Sequence, residues 1–158
     1  KNNYSFNKDI KTKYSINRGN LIHDIMSEIN VQSDVGDVLD DYMKKGLLSA
    51  DGFRQINIQI NNVLNHPQIK HLFKNDVKVF SEYNILSKSG EVLRPDRVIL
   101  HSKELVSLID YKTGEQRKSD SIQMQKYEKV LLEMGFQKVE KYLVYLTKSK
   151  NKVDVDKI

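Results

Sequence analysis

Two carboxylates and a lysine stand in segments that otherwise read as apolar strands. Asp110 lies in the run LVSLIDYK, and Lys112 follows it two residues later. Because side chains of a strand alternate between the two faces of a sheet, Asp110 and Lys112 share one face. Asp96 stands just before RVIL, the apolar run of the preceding strand. Burying unpaired charge is costly, so two acids that interrupt neighbouring apolar strands favour a functional site.

The loop between these two strands decides whether the acids meet. A three-residue loop, 102–104, would pair His101 with Leu105 and would place Asp96 directly opposite Asp110, with Cβ atoms roughly 5 Å apart. A two-residue loop would shift the pairing by one and send the acids to opposite faces of the sheet. Two carboxylates at that spacing repel each other unless a cation lies between them. The longer loop therefore predicts a divalent-cation site.

Simpler interpretations of the same residues remain open. Asp-x-Lys alone also fits an ordinary salt bridge in a strand, and Pro95 before Asp96 fits the first position of a strand, where proline is tolerated. If the cation site exists, Lys112 could hold a water molecule or stabilise a developing negative charge. The two acids taken together favour the site over the salt bridge.

Composition limits the class of protein and the metals it could bind. The chain has 158 residues, enough for one domain, and 26 basic residues against 21 acidic ones give a net charge of +5. That modest excess is compatible with a polyanionic partner. Without cysteine, thiolate zinc sites and cysteine-bound iron–sulfur clusters are excluded, which leaves hard cations such as Mg²⁺ or Mn²⁺. No apolar run is long enough to span a membrane and no signal peptide is present, so we expect a cytoplasmic protein.

The elements that must position these residues divide the chain into two halves. Residues 1–17 are polar and basic, and they read as a lead-in or linker from an upstream segment of a longer protein, a reading that the first residue, lysine, supports. Helical spacing of apolar residues predicts helices over 18–30, over 34–45 with Asp34 as N-cap and Gly46 as the end, from Ser49 to about 64, and briefly after Pro67. Alternation then predicts strands over 76–86, 91–100 and 104–112, a helix capped by Ser119 or Asp120 and ended by Gly135, and strands over 138–146 and 151–158. The sequence predicts an α/β fold, with a helical N-terminal half and a mixed central sheet flanked by helices.

Four motifs, in order, resemble those of one nuclease family. RPD, a 13-residue gap and DYK resemble the signature of the PD-(D/E)XK nuclease superfamily. RGNLIHDIMSEI, with Gly19 and His23, is similar to a helix of RecB-type nuclease domains, and LIDYKTG is similar to their VIDYKTG segment. QMQKY, with Gln123 and Tyr127, resembles their Gln-x-x-x-Tyr motif. The four motifs span residues 18–127, and the family's α-β-β-β-α-β fold, called restriction-endonuclease-like, agrees with the predicted element order.

The resemblance implies a role for each matched position. Asp96 and Asp110 would bind Mg²⁺ or Mn²⁺ together with the backbone carbonyl of Tyr111, and His23 would be a further metal ligand. Lys112 would orient or deprotonate the attacking water and stabilise the pentacovalent phosphate. These roles imply a catalytic set of Asp96, Asp110 and Lys112.

Three other positions carry weaker expectations. Family members hold an acid on the strand before the PD motif, and Glu82 is the candidate, although it fits equally a solvated strand residue. Gln123 and Tyr127 lie four apart on one helix face and would support the site or contact DNA, while Tyr127 also continues an apolar stripe and fits the core. Arg97 is expected to pair with an acid, with Glu104 as the candidate.

The resemblance also implies the activity and the partners. A single nuclease domain over residues 18–158 would hydrolyse DNA to 5′-phosphate and 3′-hydroxyl ends. It would be the exonuclease domain of a larger helicase–nuclease in DNA repair or recombination, with DNA as partner, a helicase domain upstream, no membrane and no iron–sulfur cluster. Two alternatives are a site-selective endonuclease and a catalytically silent module of the same fold that binds nucleic acid or docks a protein.

Overall fold

A helical N-terminal part precedes the sheet, as the sequence predicts. The computed structural model describes residues 18–147 and 152–158, so the predicted lead-in over 1–17 lies outside the described residues. The helices of this part are α1, which is described over residues 18–28, α2 (Asp34–Lys44), α3 (Ala50–Leu64) and a 3-10 turn (Lys70–Leu72). None of the helices described is both long and apolar enough to cross a membrane.

A five-stranded mixed sheet forms the rest of the fold. Its strands are β1 (Lys78–Ser81), β4 (Arg97–Leu100), β5 (Leu105–Lys112), β6 (Lys138–Leu146) and β7 (Val153–Lys157), in the spatial order β1-β4-β5-β6-β7. Only the β5–β6 pairing is parallel, and α4 (Lys118–Glu133) makes the crossover between those strands. The predicted α/β class with a mixed sheet flanked by helices is confirmed.

Two predicted strands are interrupted where the site forms. The predicted strand over 76–86 breaks after Ser81, because Glu82 adopts a left-handed φ of 53° that an extended strand cannot contain. The next predicted strand, 91–100, is also divided, around Arg94 and Pro95. The outer pieces pair with each other as a small separate hairpin, β2 (Ile85–Leu86) with β3 (Val92–Leu93).

The helix ends follow the sequence signals in part. Ser49 caps α3, its hydroxyl accepting the backbone N–H of Gly52, and Gly46 and Gly135 lie at helix ends with φ of 70° and 106°. The prediction of Asp34 as N-cap is wrong by one residue. Ser33 precedes α2, and the Asp34 carboxylate instead accepts backbone N–H groups in the preceding connection.

The predicted cap of α4 is also displaced. Arg117 rather than Ser119 or Asp120 holds the N-cap position, and its extended backbone begins the helix. Asp120, at the third helical position, accepts the backbone N–H of Arg117 at 3.0 Å. An acid at the third position satisfies a free N–H as a capping residue would, which is why the sequence signal appears three residues late.

The sheet separates two apolar clusters. Ile109 and Tyr111 of β5 face the cluster formed with the helical half, whereas Leu108 and the neighbouring even positions face the cluster under α4. Asp110 follows the same alternation and lies on the α4 face, with 2% of its surface exposed. The acids and Lys112 therefore share the face that α4 covers, and α1 lies across the other face.

The two serines that precede helices offer a matched test of these caps. Replacing Ser49 with alanine removes the bond to the Gly52 N–H, so we expect the free energy of unfolding to fall by about 1 kcal/mol. Ser33 makes no side-chain cap bond, so Ser33→Ala should change it by less than about 0.5 kcal/mol. Urea unfolding followed by circular dichroism measures both. Equal losses in the two variants would contradict this cap assignment.

Candidate metal centre

The register between β4 and β5 places the two acids as the longer loop predicts. Arg97 is opposite Ile109 and Leu100 is opposite Val106. The N–H of His101 donates to the carbonyl of Leu105 at 3.1 Å, so the loop contains three residues. Extending the same register by one position brings Asp96 opposite Asp110. The predicted three-residue loop, and the register that it sets as far as Arg97, are confirmed.

Asp96 itself is held by the backbone of the facing strand. Its Oδ2 accepts the N–H of Tyr111 at 2.7 Å, so the side chain continues the pairing beyond the last ladder residue. The N–H and C=O of one residue in an extended strand point to the same side. The Tyr111 carbonyl therefore faces the edge where Asp96 lies, while the Tyr111 ring is buried in the opposite cluster.

His23 and Glu82 approach Asp96 from two other elements. One ligand atom from each of these three residues lies within 4.8 Å of the others, and His23 Nδ1 is 3.3 Å from Asp96 Oδ1. Hydrogen bonding to the Asp96 carboxylate is the main cause that raises the pKa of His23. A nitrogen ligand with two carboxylates, in the absence of any sulfur, is a donor set suited to a hard divalent cation.

The strained backbone at Glu82 directs its side chain toward this cluster. The Glu82 N–H donates to the carbonyl of Asp96 at 3.0 Å, which fixes the reversal beside the acid. Burial, followed by the negative charge of Asp96, raises the pKa of Glu82. A left-handed φ at a residue other than glycine costs on the order of 1 kcal/mol or more and is typical of functional sites.

Asp110 lies beside the cluster but is held by Lys112. The ammonium of Lys112 lies 2.6 Å from Asp110 Oδ2 as a close ion pair, although Oδ2 receives no well-directed hydrogen bond. Burial, followed by the charge of Asp96, raises the pKa of Asp110 to about 6. Asp110 is not among the three residues whose ligand atoms are mutually close, so joint coordination with Asp96 requires its carboxylate to turn from Lys112.

A hydrogen-bonded chain extends from Lys112 to the connection between β3 and β4. Lys112 donates to Gln123 Oε1 at 2.8 Å, Gln123 donates to the Tyr127 hydroxyl at 2.6 Å, and that hydroxyl donates to the Arg94 carbonyl at 3.2 Å. Gln123 and Tyr127 are thus brought to the site by α4, as the Gln-x-x-x-Tyr spacing predicts. Their contacts fix the ammonium of Lys112 on the same side as the acids.

The sequence analysis did not predict two arginines that lie at the site. Arg94 Nε lies 2.7 Å from Glu82 Oε2, so a cation already neutralises one of the candidate ligands. Arg117 lines the same cleft, which has a volume of about 640 Å³. Arg94 could have been noticed because it belongs to the RPD motif, whereas the position of Arg117 depends on where α4 begins. The remaining lining residues are Gly19, Asn20, His23, Asp24, Glu82 and Thr113.

The expectation that Arg97 pairs with Glu104 is wrong. Arg97 has no exposed surface, and its guanidinium donates to the carbonyls of Ile29 and Asn30 at 2.7 and 3.0 Å. The side chain points to the α1 face of the sheet, where backbone carbonyls rather than an acid accept from its two terminal nitrogens.

Comparison with known proteins gives no family for this chain. No family model matches it, and no curated protein matches it. Among solved structures, the chain resembles that of SSO0001, with 17% identity and a TM-score of 0.35 over 85% of this chain and 65% of that chain. A TM-score this low carries no argument about fold or activity.

The raised pKa of Asp110 predicts a stability effect in the metal-free protein. Its folded-state pKa of about 6 exceeds the unfolded value, so ionised Asp110 opposes folding above pH 6, and this cost disappears as the pH falls toward 4. In the presence of a metal chelator, Asp110→Asn should therefore raise the free energy of unfolding by about 1–2 kcal/mol at pH 8. At pH 4 the same substitution should change it little. Urea unfolding at both pH values measures this, and a destabilised variant at pH 8 would contradict it.

Proposed function

We propose that this chain is a metal-dependent nuclease domain of the PD-(D/E)XK type. The single observation that carries the proposal is the β4–β5 register, which, continued by one residue, places Asp96 opposite Asp110, while Lys112 pairs with Asp110. His23 and Glu82 complete the donor set from two further elements. The ordered motifs along residues 18–127 support the same class, with a restriction-endonuclease-like fold. The substrate is then DNA, and the cofactor is Mg²⁺ or Mn²⁺.

Each site residue would have a separate role in phosphodiester hydrolysis. His23, Glu82, Asp96 and Asp110, with the carbonyl of Tyr111, would hold the cation. When bound, a divalent cation lowers the pKa of water and polarises a phosphate oxygen. Lys112, once Asp110 turns to the cation, would orient the attacking water and stabilise the negative charge that develops on the phosphate.

The supporting contacts of Lys112 fit this role. Gln123 accepts one of its N–H bonds and is itself fixed by Tyr127, so the ammonium keeps its place when Asp110 moves. Attack at phosphorus would break the bond to the 3′ oxygen and leave 5′-phosphate and 3′-hydroxyl ends. Arg94 and Arg117, at the edges of the cleft, would contact the phosphate backbone without reading sequence.

We further propose that the domain acts as an exonuclease within a larger helicase–nuclease in DNA repair or recombination. The chain has no cysteine, so it would hold no cysteine-bound iron–sulfur cluster. A catalytically silent module of the same fold is the alternative, and it would bind DNA without cutting it.

Activity is tested with a matched pair of charge variants. Asp110→Asn and Lys112→Met should each lower the rate of Mg²⁺-dependent degradation of labelled linear DNA by about 10²–10⁴-fold. The first removes a proposed metal ligand, and the second removes the ammonium proposed to orient the attacking water. Asp41 and Lys45 form an exposed pair of the same charge types at 2.5 Å. Asp41→Asn and Lys45→Met should therefore leave the rate unchanged.

The products and the binding distinguish the alternatives. End-labelled products carrying 5′-phosphates, and resistance of covalently closed circles, are the results expected of an exonuclease. Full activity of either site variant in a clean preparation would contradict the assignment. DNA binding by a wild-type protein that cuts no DNA with either Mg²⁺ or Mn²⁺ would favour the silent module.

A further inference from the structure

Helix α1 carries His23, and both ends of its described part are fixed by residues that follow the site residues of the sheet. Arg97 comes directly after Asp96 and reaches the C-terminal end of the helix. Thr113 comes directly after Lys112 and meets the N-terminal end at Gly19. One contact comes from the first residue of β4 and the other from the residue directly after β5.

The contact at the C-terminal end is made by a fully buried cation. Arg97 donates to the carbonyls of Ile29 and Asn30, the two residues after α1, and its guanidinium lies 4.5 Å above the ring of Phe73. The carboxylate of Asp34 accepts the N–H of Asn30 at 2.8 Å from the other side. Buried guanidinium groups are costly to desolvate, so its placement here fixes where α1 ends relative to β4.

The contact at the N-terminal end depends on a missing side chain. A Cβ atom at Gly19 would lie 2.7 Å from Thr113 Oγ1, closer than such atoms approach in proteins. Glycine therefore lets α1 come down onto the end of β5. Arg18 adds two bonds of 3.1 Å to Gln55 and Gln59 of α3, which orient the same end of the helix.

We propose that Arg97 and the Gly19–Thr113 contact form a clamp that positions His23 against Asp96. The inference rests on the proposed function, since His23 is a metal ligand only in that context. Arg97 is a positioning residue: its guanidinium donates to the carbonyls of Ile29 and Asn30, and it is not among the residues that line the cleft. The clamp sets the 3.3 Å approach of His23 Nδ1 to Asp96 Oδ1.

The direction in which one substitution changes the Mn²⁺ affinity distinguishes a positioning role of Arg97 from an electrostatic one. Arg97→Met removes a positive charge near a cation site, which by charge alone would strengthen cation binding. Loss of the clamp should instead weaken Mn²⁺ binding by about tenfold, the usual effect of losing a residue that orients a metal ligand. Titration of free Mn²⁺ by electron paramagnetic resonance measures the dissociation constant without requiring activity.

A double-mutant cycle then asks whether Arg97 acts through His23. Arg97→Met should weaken Mn²⁺ binding in the wild-type background and have little further effect in a His23→Ala background. Equal effects in both backgrounds, no effect, or tighter binding would each overturn the clamp. Leu131→Ala, in the opposite apolar cluster, is the control for lost stability and should leave the Mn²⁺ affinity unchanged.

A metal-free measurement keeps the clamp testable on its own. The rings of His23 and Tyr111 meet edge to face with centroids 6.3 Å apart, so nuclear Overhauser contacts between them should be present in the wild type. They should be lost in Arg97→Met and kept in Leu131→Ala. If the ring contacts persisted in Arg97→Met, the clamp would be overturned, whether or not the wild type bound Mn²⁺. Failure of the wild type to bind Mn²⁺ would count only against the proposed function.

The other end of the clamp allows a rescue. Gly19→Ala should weaken the same ring contacts and the same Mn²⁺ affinity, and adding Thr113→Ala, which removes the oxygen that the new methyl group meets, should restore them. Failure of the second substitution to restore either one would overturn the part of the clamp assigned to Gly19.

Discussion

The hydrogen bond from the Tyr111 N–H to the Asp96 carboxylate is the contact on which the arrangement of the site depends. It occurs at the point where the β4–β5 ladder ends, and it replaces a main-chain acceptor with a side chain. As a result, one oxygen of Asp96 is fixed to the sheet and the other faces His23. The strand register thereby determines where the second acid and the lysine lie relative to Asp96.

That register brings buried carboxylates close to one another, and neighbouring basic side chains offset only part of their repulsion. Asp110 is almost fully buried beside a second carboxylate, and Lys112 is its compensating cation. Arg94 serves Glu82 in the same way. Under the proposed function, a bound cation would release both basic groups, Lys112 and Arg94, to contact phosphate.

Much of this geometry could be predicted from local rules. The three-residue loop before Leu105 determines the register, and alternation then places Asp110 and Lys112 on one face. The parallel β5–β6 pair follows from the long helical connection between those strands. Such features depend on residues near one another in the sequence, where spacing and turn length are sufficient.

Other features depend on contacts between distant segments, which spacing does not reveal. The left-handed Glu82 interrupts a sequence that alternates like a strand, because its N–H bonds to Asp96 fourteen residues later. In the sequence, Arg97 stands in a strand with acidic residues nearby, which predicts an acidic partner. Its partners are instead backbone carbonyls some 67 residues earlier. In both cases tertiary hydrogen bonds override the local pattern.

The most direct measurement is an anomalous difference map from crystals soaked in millimolar Mn²⁺. A metal-dependent nuclease centre requires a peak among His23, Asp96 and Asp110, within roughly 2.5 Å of their ligand atoms. Such a map would also show whether Asp110 turns from Lys112 toward the ion. Crystals whose carboxylate pair shows no peak at that concentration, with manganese only at scattered surface acids, would contradict the metal centre.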